Sequence, residues 1–301
     1  MENIAYYAPA KVNFSLKIGV REQNNLHKIH SLARKIKISD KISFKLTEGD
    51  YKIKAVPGPI LENRFTEEDF QSISDENGII INSTINSAKS FFNALNIHNK
   101  GIDVTIEKNI PFNAGLGGGS SDGAGMLLKL NEVFDNALDR AELIGLALKL
   151  GSDMPFFLTS GDAIVSGFGE NIEKIEPKAM QRYNIVLIIP DFGIKTKDAY
   201  AEYDDFMLTN KINYYNMQYL DFKDLNYVND FEPVIFKKYP VLKEMKESLI
   251  LNGAEISLLS GSGSTVFGAF KTGEEAVSYL YKLKSFRFYK SVRLSCLTET
   301  L

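Results

Sequence analysis

The stretch that decides the fold is Pro111-Phe112-Asn113-Ala114-Gly115-Leu116-Gly117-Gly118-Gly119-Ser120-Ser121-Asp122. It follows an alternating apolar segment and precedes a stripe of apolar residues at helical spacing, so it is predicted to join a strand to a helix. Four glycines within residues 115–119 place few steric limits on the backbone, whose amides can turn toward an anion. The positive end of the following helix dipole favours the same ligand. The hydroxyls of Ser120 and Ser121 can reach a phosphate or a magnesium ion.

This loop differs from two common nucleotide-binding motifs. A Walker A loop needs a Lys-Ser or Lys-Thr pair after the last glycine, and none follows Gly119. The GxGxxG spacing of a dinucleotide fold is broken at Ser120, and no βαβ pattern surrounds it. A flexible surface loop is the plain alternative, but such loops rarely combine a strand, glycines, paired serines and an amphipathic helix. Phosphate binding is therefore the favoured interpretation.

Composition points to an ordinary folded chain of two domains. The length is 301 residues, with 44% hydrophobic and 24% charged residues. Since 35 basic and 38 acidic residues give a net charge of −3, neither a nucleic acid nor an anionic membrane is an expected partner. The single cysteine, Cys296, allows no intrachain disulfide, which suits the cytoplasm. No signal-peptide pattern and no apolar run of about 18 residues is found.

Strand and helix patterns are mixed, without a regular βαβ rhythm, so the expected fold class is α+β. We expect one domain at residues 1–160, containing the glycine loop, and a second at 161–301. The predicted strands are 35–46, 101–111, 183–189, 255–259, 265–270 and 287–296. The predicted helices are 82–96, 139–150 with Asp139 as N-cap, 240–251 ending before Gly253, and 273–284.

The loop resembles the phosphate-binding motif of the GHMP kinases, P-x-x-A-G-L-G-G-G-S-S-D. Three other segments resemble motifs of that family and occur in the required order. They are residues 8–13 (A-P-A-K-V-N), 151–157 (G-S-D-M-P-F-F) and 260–264 (S-G-S-G-S). The resemblance implies a two-domain fold, ribosomal-protein-S5-like first and ferredoxin-like second. It also implies transfer of the terminal phosphate of ATP to a hydroxyl group, with Mg²⁺ bridging the phosphates.

Catalysis is assigned by this resemblance to Lys11 and Asp153. An ammonium beside an alcohol stabilises a developing alkoxide, and a carboxylate can accept the hydroxyl proton. Phosphoryl transfer needs mainly such positioning and charge compensation. Taken alone, a lysine on a strand is usually solvated, and an aspartate before Pro155 usually caps a turn.

The resemblance places ATP along the glycine loop, with Asn82 and Lys108 near the adenine and Ser121 as a candidate metal ligand. The expected nucleotide-binding residues of the loop are Pro111, Phe112, Asn113, Ala114, Gly115, Leu116, Gly117, Gly118, Gly119, Ser120 and Ser121.

The triple glycine favours the branch of the family whose acceptor carries a cytidine diphosphate group, in non-mevalonate isoprenoid precursor synthesis. That branch has D-G-Y-H where this chain has N-N-L-H at residues 24–27, so Leu26 replaces a stacking ring and His27 is retained. Tyr200 resembles the second stacking aromatic and is expected opposite Leu26. The expected acceptor-binding residues are Asn13, Leu26, His27, Tyr200, Gly261, Ser262 and Gly263.

Three alternatives stay open. A GHMP kinase with another acceptor is the nearest, although mevalonate and homoserine kinases usually carry G-L-G-S-S-A. A nucleotide-binding relative without turnover is the second, although it would not need both Lys11 and Asp153. His27 can also be an ordinary surface residue, as is expected for His30. The protein is predicted to be a monomer or a homodimer.

Overall fold

The computed structural model describes residues 3–62, 79–210 and 226–301. The strands are β1 (Ile4–Arg21), β2 (His27–Thr47), β3 (Tyr51–Pro57), β4 (Gly101–Lys108), β5 (Ala163–Gly167), β6 (Asn171–Lys174), β7 (Asn184–Pro190), β8 (Ile256–Leu259), β9 (Val266–Phe270) and β10 (Val292–Glu299). The helices are α1 (Ile79–Ala94), α2 (Gly118–Val133), α3 (Arg140–Leu150), α4 (Met154–Phe157), α5 (Thr196–Asn210), α6 (Glu232–Lys238), α7 (Pro240–Leu251) and α8 (Gly273–Leu283). None of the helices in this described part is long and apolar enough for a membrane span.

The chain forms two compact units, and each unit contains several separate segments of sequence. Unit 1 consists of Met1–Ala10, Ile38–Phe112 and Gly117–Ser160. Unit 2 consists of Lys11–Lys37, Asn113–Leu116 and Gly161–Leu301. Strands β1 and β2 and the glycine loop therefore each supply residues to both units. Domain limits at 1–160 and 161–301 stay a prediction.

Unit 1 contains a sheet and the helix that follows the glycine loop. Strand β3 pairs in parallel with β4, and β4 pairs antiparallel with the second half of β2. Alternate residues such as Phe44 and Val104 are fully buried, because one face of this sheet carries the core. Helices α1 and α2 pack together, and Phe91, Phe92 and Phe134 form a ring cluster beside them. The C-terminal end of α2 thus packs against a hydrophobic cluster.

Unit 2 contains an antiparallel sheet in the order β10-β7-β9-β8, with strand β7 buried from Ile185 to Ile189. Helices α5, α6, α7 and α8 contribute to its core. In the same unit, the first half of β2 pairs antiparallel with β5, and β5 pairs with β6. Arg34 is buried there, where its guanidinium donates to Asp162 at 2.7 Å and lies over the ring of Phe14.

The mixture of helices and strands without βαβ rhythm confirms the α+β prediction. Helix α3 has the expected cap, because Asp139 accepts from the Glu142 amide while the Glu142 carboxylate accepts from the Asp139 amide. The strand predicted at 287–296 is corrected. Residues Arg287–Ser291 form a 3₁₀ turn, and the strand runs later, over Val292–Glu299.

Candidate active site

The first half of the glycine loop, Asn113–Leu116, is held by hydrogen bonds within unit 2. The amide of Lys11 donates to the Leu116 carbonyl at 2.9 Å, and the Ser260 hydroxyl donates to the Gly115 carbonyl at 2.9 Å. Gly115 has φ +74°, and a Cβ at this position would lie 2.0 Å from the Ser260 carbonyl oxygen. Only glycine fits this approach, so the predicted loop and the predicted Ser260 turn are brought together.

The second half of the loop starts helix α2 in unit 1. Gly117 is the N-cap at φ +71°, and no side chain caps the helix. The amides of the first turn have no partner within a helix, so without a side-chain cap they stay available to a ligand. The helix dipole adds positive potential at this end. The Ser83 hydroxyl fixes the turn by donating to the Gly119 carbonyl at 2.7 Å.

Ser121 lies in this first turn and is almost fully buried. Its hydroxyl has no hydrogen-bond partner among residues 3–62, 79–210 and 226–301. Within the described residues, no three carboxylate, histidine or cysteine side chains are grouped as a metal site.

A buried ion cluster lies at the base of α2. The Lys108 ammonium donates to the Asp40 carboxylate, and to Asp122 at 2.8 Å, and all three side chains are at most 2% exposed. The other oxygen of Asp40 accepts from the amides of Asn109 and Ile110 at 2.6 and 2.9 Å. The end of β4 is thus fixed to β2 and to α2 by one lysine.

The electrostatics of the cluster follow from one cation between two acids. Burial lowers the pKa of Lys108, but the carboxylates of Asp122 and Asp40 outweigh it and raise the pKa above its usual value. Burial raises the pKa of Asp122 well above its usual value, against the opposing effect of Lys108. A Cβ on Gly118 would lie 3.5 Å from the Lys108 nitrogen, so this ammonium lies beside the first turn of α2.

Lys11 is the start of a buried hydrogen-bond chain in unit 2. Its nitrogen donates to Asn13 Oδ1 at 2.7 Å, Asn13 Nδ2 donates to Ser31 Oγ at 2.7 Å, and Ser31 Oγ donates to the Ser15 carbonyl at 2.6 Å. Residues 11, 13 and 15 alternate along β1 and therefore share one face. Lys11 is only 5% exposed, which excludes the alternative of a solvated strand lysine.

The Ser260 turn lies against this chain. A Cβ on Gly261 would be 3.4 Å from the Lys11 nitrogen and 3.5 Å from Asn13 Oδ1. The Gly261 carbonyl accepts from the Asn229 side chain at 2.8 Å, which fixes the turn. The hydroxyl of Ser262 lies 3.1 Å from that of Thr196 at the start of α5. Lys11 and Asn13 of one predicted motif therefore meet the predicted turn at 260–264 within unit 2, and Gly263 in that turn has φ +93°.

Asp153 lies in unit 1, directly before the four-residue helix α4. Its side chain makes no capping hydrogen bond to that helix, and Pro155 occupies the first turn. The plain alternative of a turn-capping aspartate is therefore not supported. The side chain is half-buried.

His27 and Tyr200 meet in unit 2. Their rings stack with centroids 4.9 Å apart and planes at 16°. His27 Nδ1 lies 2.8 Å from the Gly19 carbonyl, and Nε2 lies 3.4 Å from the Asp204 carboxylate. Both ring nitrogens of His27 thus have protein partners, which excludes an ordinary surface histidine. Leu26 is exposed in the preceding turn.

Asp204 is a residue that sequence reasoning missed. It follows Tyr200 by four positions on α5, so both side chains are on one helix face. That spacing was the only signal in the sequence. Asn82 lies within α1, but its side chain is outside the described part of the structure. Phe112 has its ring centroid 5.4 Å from the Lys108 nitrogen.

Comparison with known proteins agrees with these motifs. The family described as GHMP kinases N terminal domain matches residues 82–169, and the family described as GHMP kinases C terminal matches residues 218–288. A 4-diphosphocytidyl-2-C-methyl-D-erythritol kinase from Clostridium acetobutylicum is 32% identical over 286 residues, which cover 92% of this chain and 94% of the relative. A protein of the same name from Thermodesulfovibrio yellowstonii is 34% identical over 307 aligned residues and 97% of both chains.

Solved structures of related kinases share the fold. A 4-(cytidine 5'-diphospho)-2C-methyl-D-erythritol kinase superposes with a TM-score of 0.71 at 24% identity, over 99% of both chains. A homoserine kinase from Cytophaga hutchinsonii superposes with a TM-score of 0.66 at 17% identity, over 100% of this chain and 95% of the other. The predicted two-domain fold is confirmed. The chain therefore belongs to the GHMP kinase family, together with relatives that are named 4-diphosphocytidyl-2-C-methyl-D-erythritol kinase.

Proposed function

We propose that this chain is an ATP-dependent kinase that phosphorylates a hydroxyl of 4-diphosphocytidyl-2-C-methyl-D-erythritol, in non-mevalonate isoprenoid precursor synthesis. The relatives that carry this kinase name match nearly the whole chain. The observation that carries the proposal is the buried Lys11 ammonium, held by Asn13 and approached by the Gly261 backbone. A fixed, buried cation is what a reacting hydroxyl needs as its charge develops.

The phosphates of ATP are proposed to bind the loop Pro111–Ser121, chiefly at the first-turn amides of α2. These amides have no side-chain cap, and the dipole of a 16-residue helix favours an anion there. The Lys108 ammonium lies beside Gly118 but is already bonded to Asp40 and Asp122. We therefore propose that Lys108 holds the loop and adds positive potential. Contacts of Lys108 and Asn82 with the adenine stay a prediction.

Magnesium is proposed to arrive with the nucleotide. Mg²⁺ usually keeps several waters and binds substrate phosphates with only one or two protein oxygens. Among the described residues the Ser121 hydroxyl has no hydrogen-bond partner, and it lies in the turn proposed to bind phosphate, so it fits as a ligand. When bound, the ion would neutralise charge on the transferred phosphate.

Asp153 is proposed to accept the proton of the acceptor hydroxyl, and Lys11 to stabilise the resulting oxygen charge. Asp153 is half-buried, directly precedes α4 and is the aspartate of the G-x-D-x-P-F-F motif. Lys11 is held by Asn13 at 2.7 Å, which fixes the ammonium before substrate binds.

The cytidine group is proposed to bind near His27, Tyr200 and Leu26, and the acceptor chain near Asn13, Gly261, Ser262 and Gly263. His27 and Tyr200 already form a stack, which offers one aromatic face rather than an open two-sided clamp. Leu26 is exposed and can cover a base without the ring stacking that an aromatic residue would add. The proposal includes a cytoplasmic enzyme, as a monomer or a homodimer, that needs neither nucleic acid nor a membrane.

A kinase of the same family with a different acceptor is the second candidate. One observation favours it: both nitrogens of His27 have partners within the protein, so the ring has no unused hydrogen-bonding atom for a base. For His27 to hydrogen-bond a cytosine, its Nε2 atom would have to leave the Asp204 carboxylate.

The product distinguishes these possibilities. Purified protein is incubated with ATP, Mg²⁺ and 4-diphosphocytidyl-2-C-methyl-D-erythritol, and ³¹P NMR follows the phosphorus signals. The proposal predicts one new phosphomonoester signal and an intact diphosphate in the acceptor. Inorganic phosphate without a phosphomonoester would mean ATP hydrolysis only and would contradict the proposed transfer.

A further inference from the structure

Ser31 lies at the far end of the hydrogen-bond chain that begins at Lys11. It is on β2, it is only 1% exposed, and its Oγ both accepts from Asn13 Nδ2 at 2.7 Å and donates to the Ser15 carbonyl at 2.6 Å. Nothing in the sequence motifs or in the comparisons gives Ser31 a role. The donor and acceptor pattern of the chain shows what it does.

The donors and acceptors of this hydrogen-bond chain can be arranged in only one direction. The Lys11 ammonium can only donate, so the Asn13 oxygen must face it and the Asn13 nitrogen must face Ser31. Ser31 can accept that bond because its own proton goes to the Ser15 carbonyl, which can only accept. The backbone of β1 thus fixes the Ser31 hydroxyl, and this hydroxyl fixes the amide of Asn13.

Loss of the Ser31 hydroxyl would leave the orientation of the Asn13 amide unfixed. Without Ser31 Oγ, the buried Asn13 nitrogen has lost its acceptor, and leaving a buried polar group unpaired is costly. Rotation of the amide by half a turn would then place its NH₂ group against the Lys11 ammonium, donor against donor. The ammonium would have to move away from its present position.

We propose that Ser31 is a positioning residue that orients the Asn13 amide and thereby holds the Lys11 ammonium in place for phosphoryl transfer. The inference rests on the proposed function in one respect, the role of Lys11 at the reacting hydroxyl. Ser31 acts through Asn13 and does not itself contact the substrate.

Steady-state kinetics of Ser31→Ala test the effect on turnover. One lost orienting hydrogen bond is expected to lower kcat roughly tenfold, with the KM for ATP unchanged. Ser31→Thr keeps a hydroxyl and is expected to restore kcat. The matched control is Ser257→Ala, which removes another buried serine hydroxyl of unit 2. This hydroxyl has no hydrogen-bond partner in the described part of the chain, so its loss should leave kcat unchanged. An unchanged kcat in Ser31→Ala would overturn the inference.

The Asn13→Ala background separates positioning from general stability. If Ser31 acts through Asn13, adding Ser31→Ala to Asn13→Ala lowers kcat no further. A further tenfold loss in the double variant would show an independent structural role and overturn the proposal. Urea unfolding of each variant checks the fold, and Ser31→Cys replaces Ser31→Ala if the latter does not fold, because a thiol is a weak donor and acceptor.

An NMR measurement that does not depend on turnover separates this test from the test of the proposed function. The ¹⁵N–¹H signals of the Asn13 side chain, assigned by their loss in Asn13→Ala, should shift in Ser31→Ala and not in Ser257→Ala. Signals that stay in place would contradict the inference even in an active enzyme. A shift in Ser31→Ala, together with no phosphomonoester product from the wild-type protein, would refute the proposed acceptor and leave the role of Ser31 in orienting Asn13 intact.

Discussion

Lys108 and Lys11 are both buried lysines, but their surroundings differ in a way that separates two functions. Lys108 has two carboxylate partners and carries its charge at the base of helix α2. Lys11 is held by the neutral amide of Asn13, so its charge is not cancelled by that neighbour. A buried ammonium that is held in a fixed position can respond to charge that develops on a substrate oxygen, whereas the Lys108 ammonium, paired with two carboxylates, mainly holds structure.

Asp153→Asn tests the proposed base at the scale of one residue. The amide has almost the same shape but cannot accept a proton, so kcat is expected to fall by about a hundredfold or more, with ATP affinity retained. ADP release gives kcat, and calorimetry gives the affinity. Asp103→Asn, which removes an exposed carboxylate 3.1 Å from Lys45 in the same unit, is the control and should keep its rate. A near-normal rate in Asp153→Asn would exclude it as the base.

The residue scale also shows where sequence reasoning stopped. Lys11 and Asn13 could be predicted through the resemblance of residues 8–13 to a family motif. The partners of Lys108 could not, because Asp40 is 68 positions away and pairs with it only after β2 and β4 meet. The stack of His27 on Tyr200 was missed for the same reason, since the motif suggested that Tyr200 would face Leu26.

At the scale of elements, the first half of the glycine loop, Asn113–Leu116, and the Ser260 turn form one piece of unit 2. Gly115 and Ser260 are in contact, so their fit depends on the absence of one Cβ. Helix α2 depends on Gly117 in the left-handed region in a similar way. The geometry of the first-turn amides that are proposed to bind phosphate is therefore set by glycine positions.

Gly115→Ala tests this dependence. A positive φ and a Cβ 2.0 Å from the Ser260 carbonyl should together cost roughly 3 kcal/mol of unfolding free energy. Gly161→Ala is a matched control, because its φ of +83° is similar but no atom lies within 4 Å of the added Cβ. It should cost about 1 kcal/mol. Urea denaturation measures both, and equal losses would show that the loop does not require this close approach.

Element boundaries were predictable where local chemistry marks them. The cap at Asp139 and the glycine after α7 gave the ends of α3 and α7. Strand β2 was predicted only over 35–46, although it begins at His27, because lysine, arginine and histidine between 28 and 37 hide the alternation. Several of these polar side chains are buried through partners such as Asp162, which the sequence does not indicate.

At the scale of the whole molecule, the order of four motifs predicted the family and the fold class. The division into compact units was not predictable, because β2 continues without a break from Lys37 in unit 2 to Ile38 in unit 1. Apolar alternation persists across that point, so no composition change marks it. Local patterns report local structure, whereas compact units depend on long-range contacts.

Asp230 gives the whole molecule a pH dependence of stability. Burial raises the pKa of its carboxyl from 3.8 to about 6. The hydrogen bond that the carboxyl accepts from the Ile18 amide and the charge of Lys17 lower the pKa, but they do not offset burial. Between these values the folded chain binds more protons than the unfolded chain, so raising the pH from 4 to 6 removes stability.

Asp230→Asn should therefore be more stable than the wild type at pH 7.5 and about equal to it near pH 4. The side-chain oxygen can still accept from Ile18, so the comparison isolates the charge. Urea midpoints across this pH range check the prediction, with the exposed Asp191→Asn as control. The same pH slope in Asp230→Asn and the wild type would refute this role of Asp230.

The central claim is that this chain phosphorylates the cytidyl acceptor. The most direct measurement is ADP release by the purified protein with ATP and Mg²⁺, compared among 4-diphosphocytidyl-2-C-methyl-D-erythritol, mevalonate and homoserine. The account predicts turnover with the cytidyl compound alone, and its loss in Asp153→Asn. Turnover with mevalonate or homoserine instead would contradict the proposed acceptor, and no ADP release with any of the three would contradict the assignment of a kinase with this specificity.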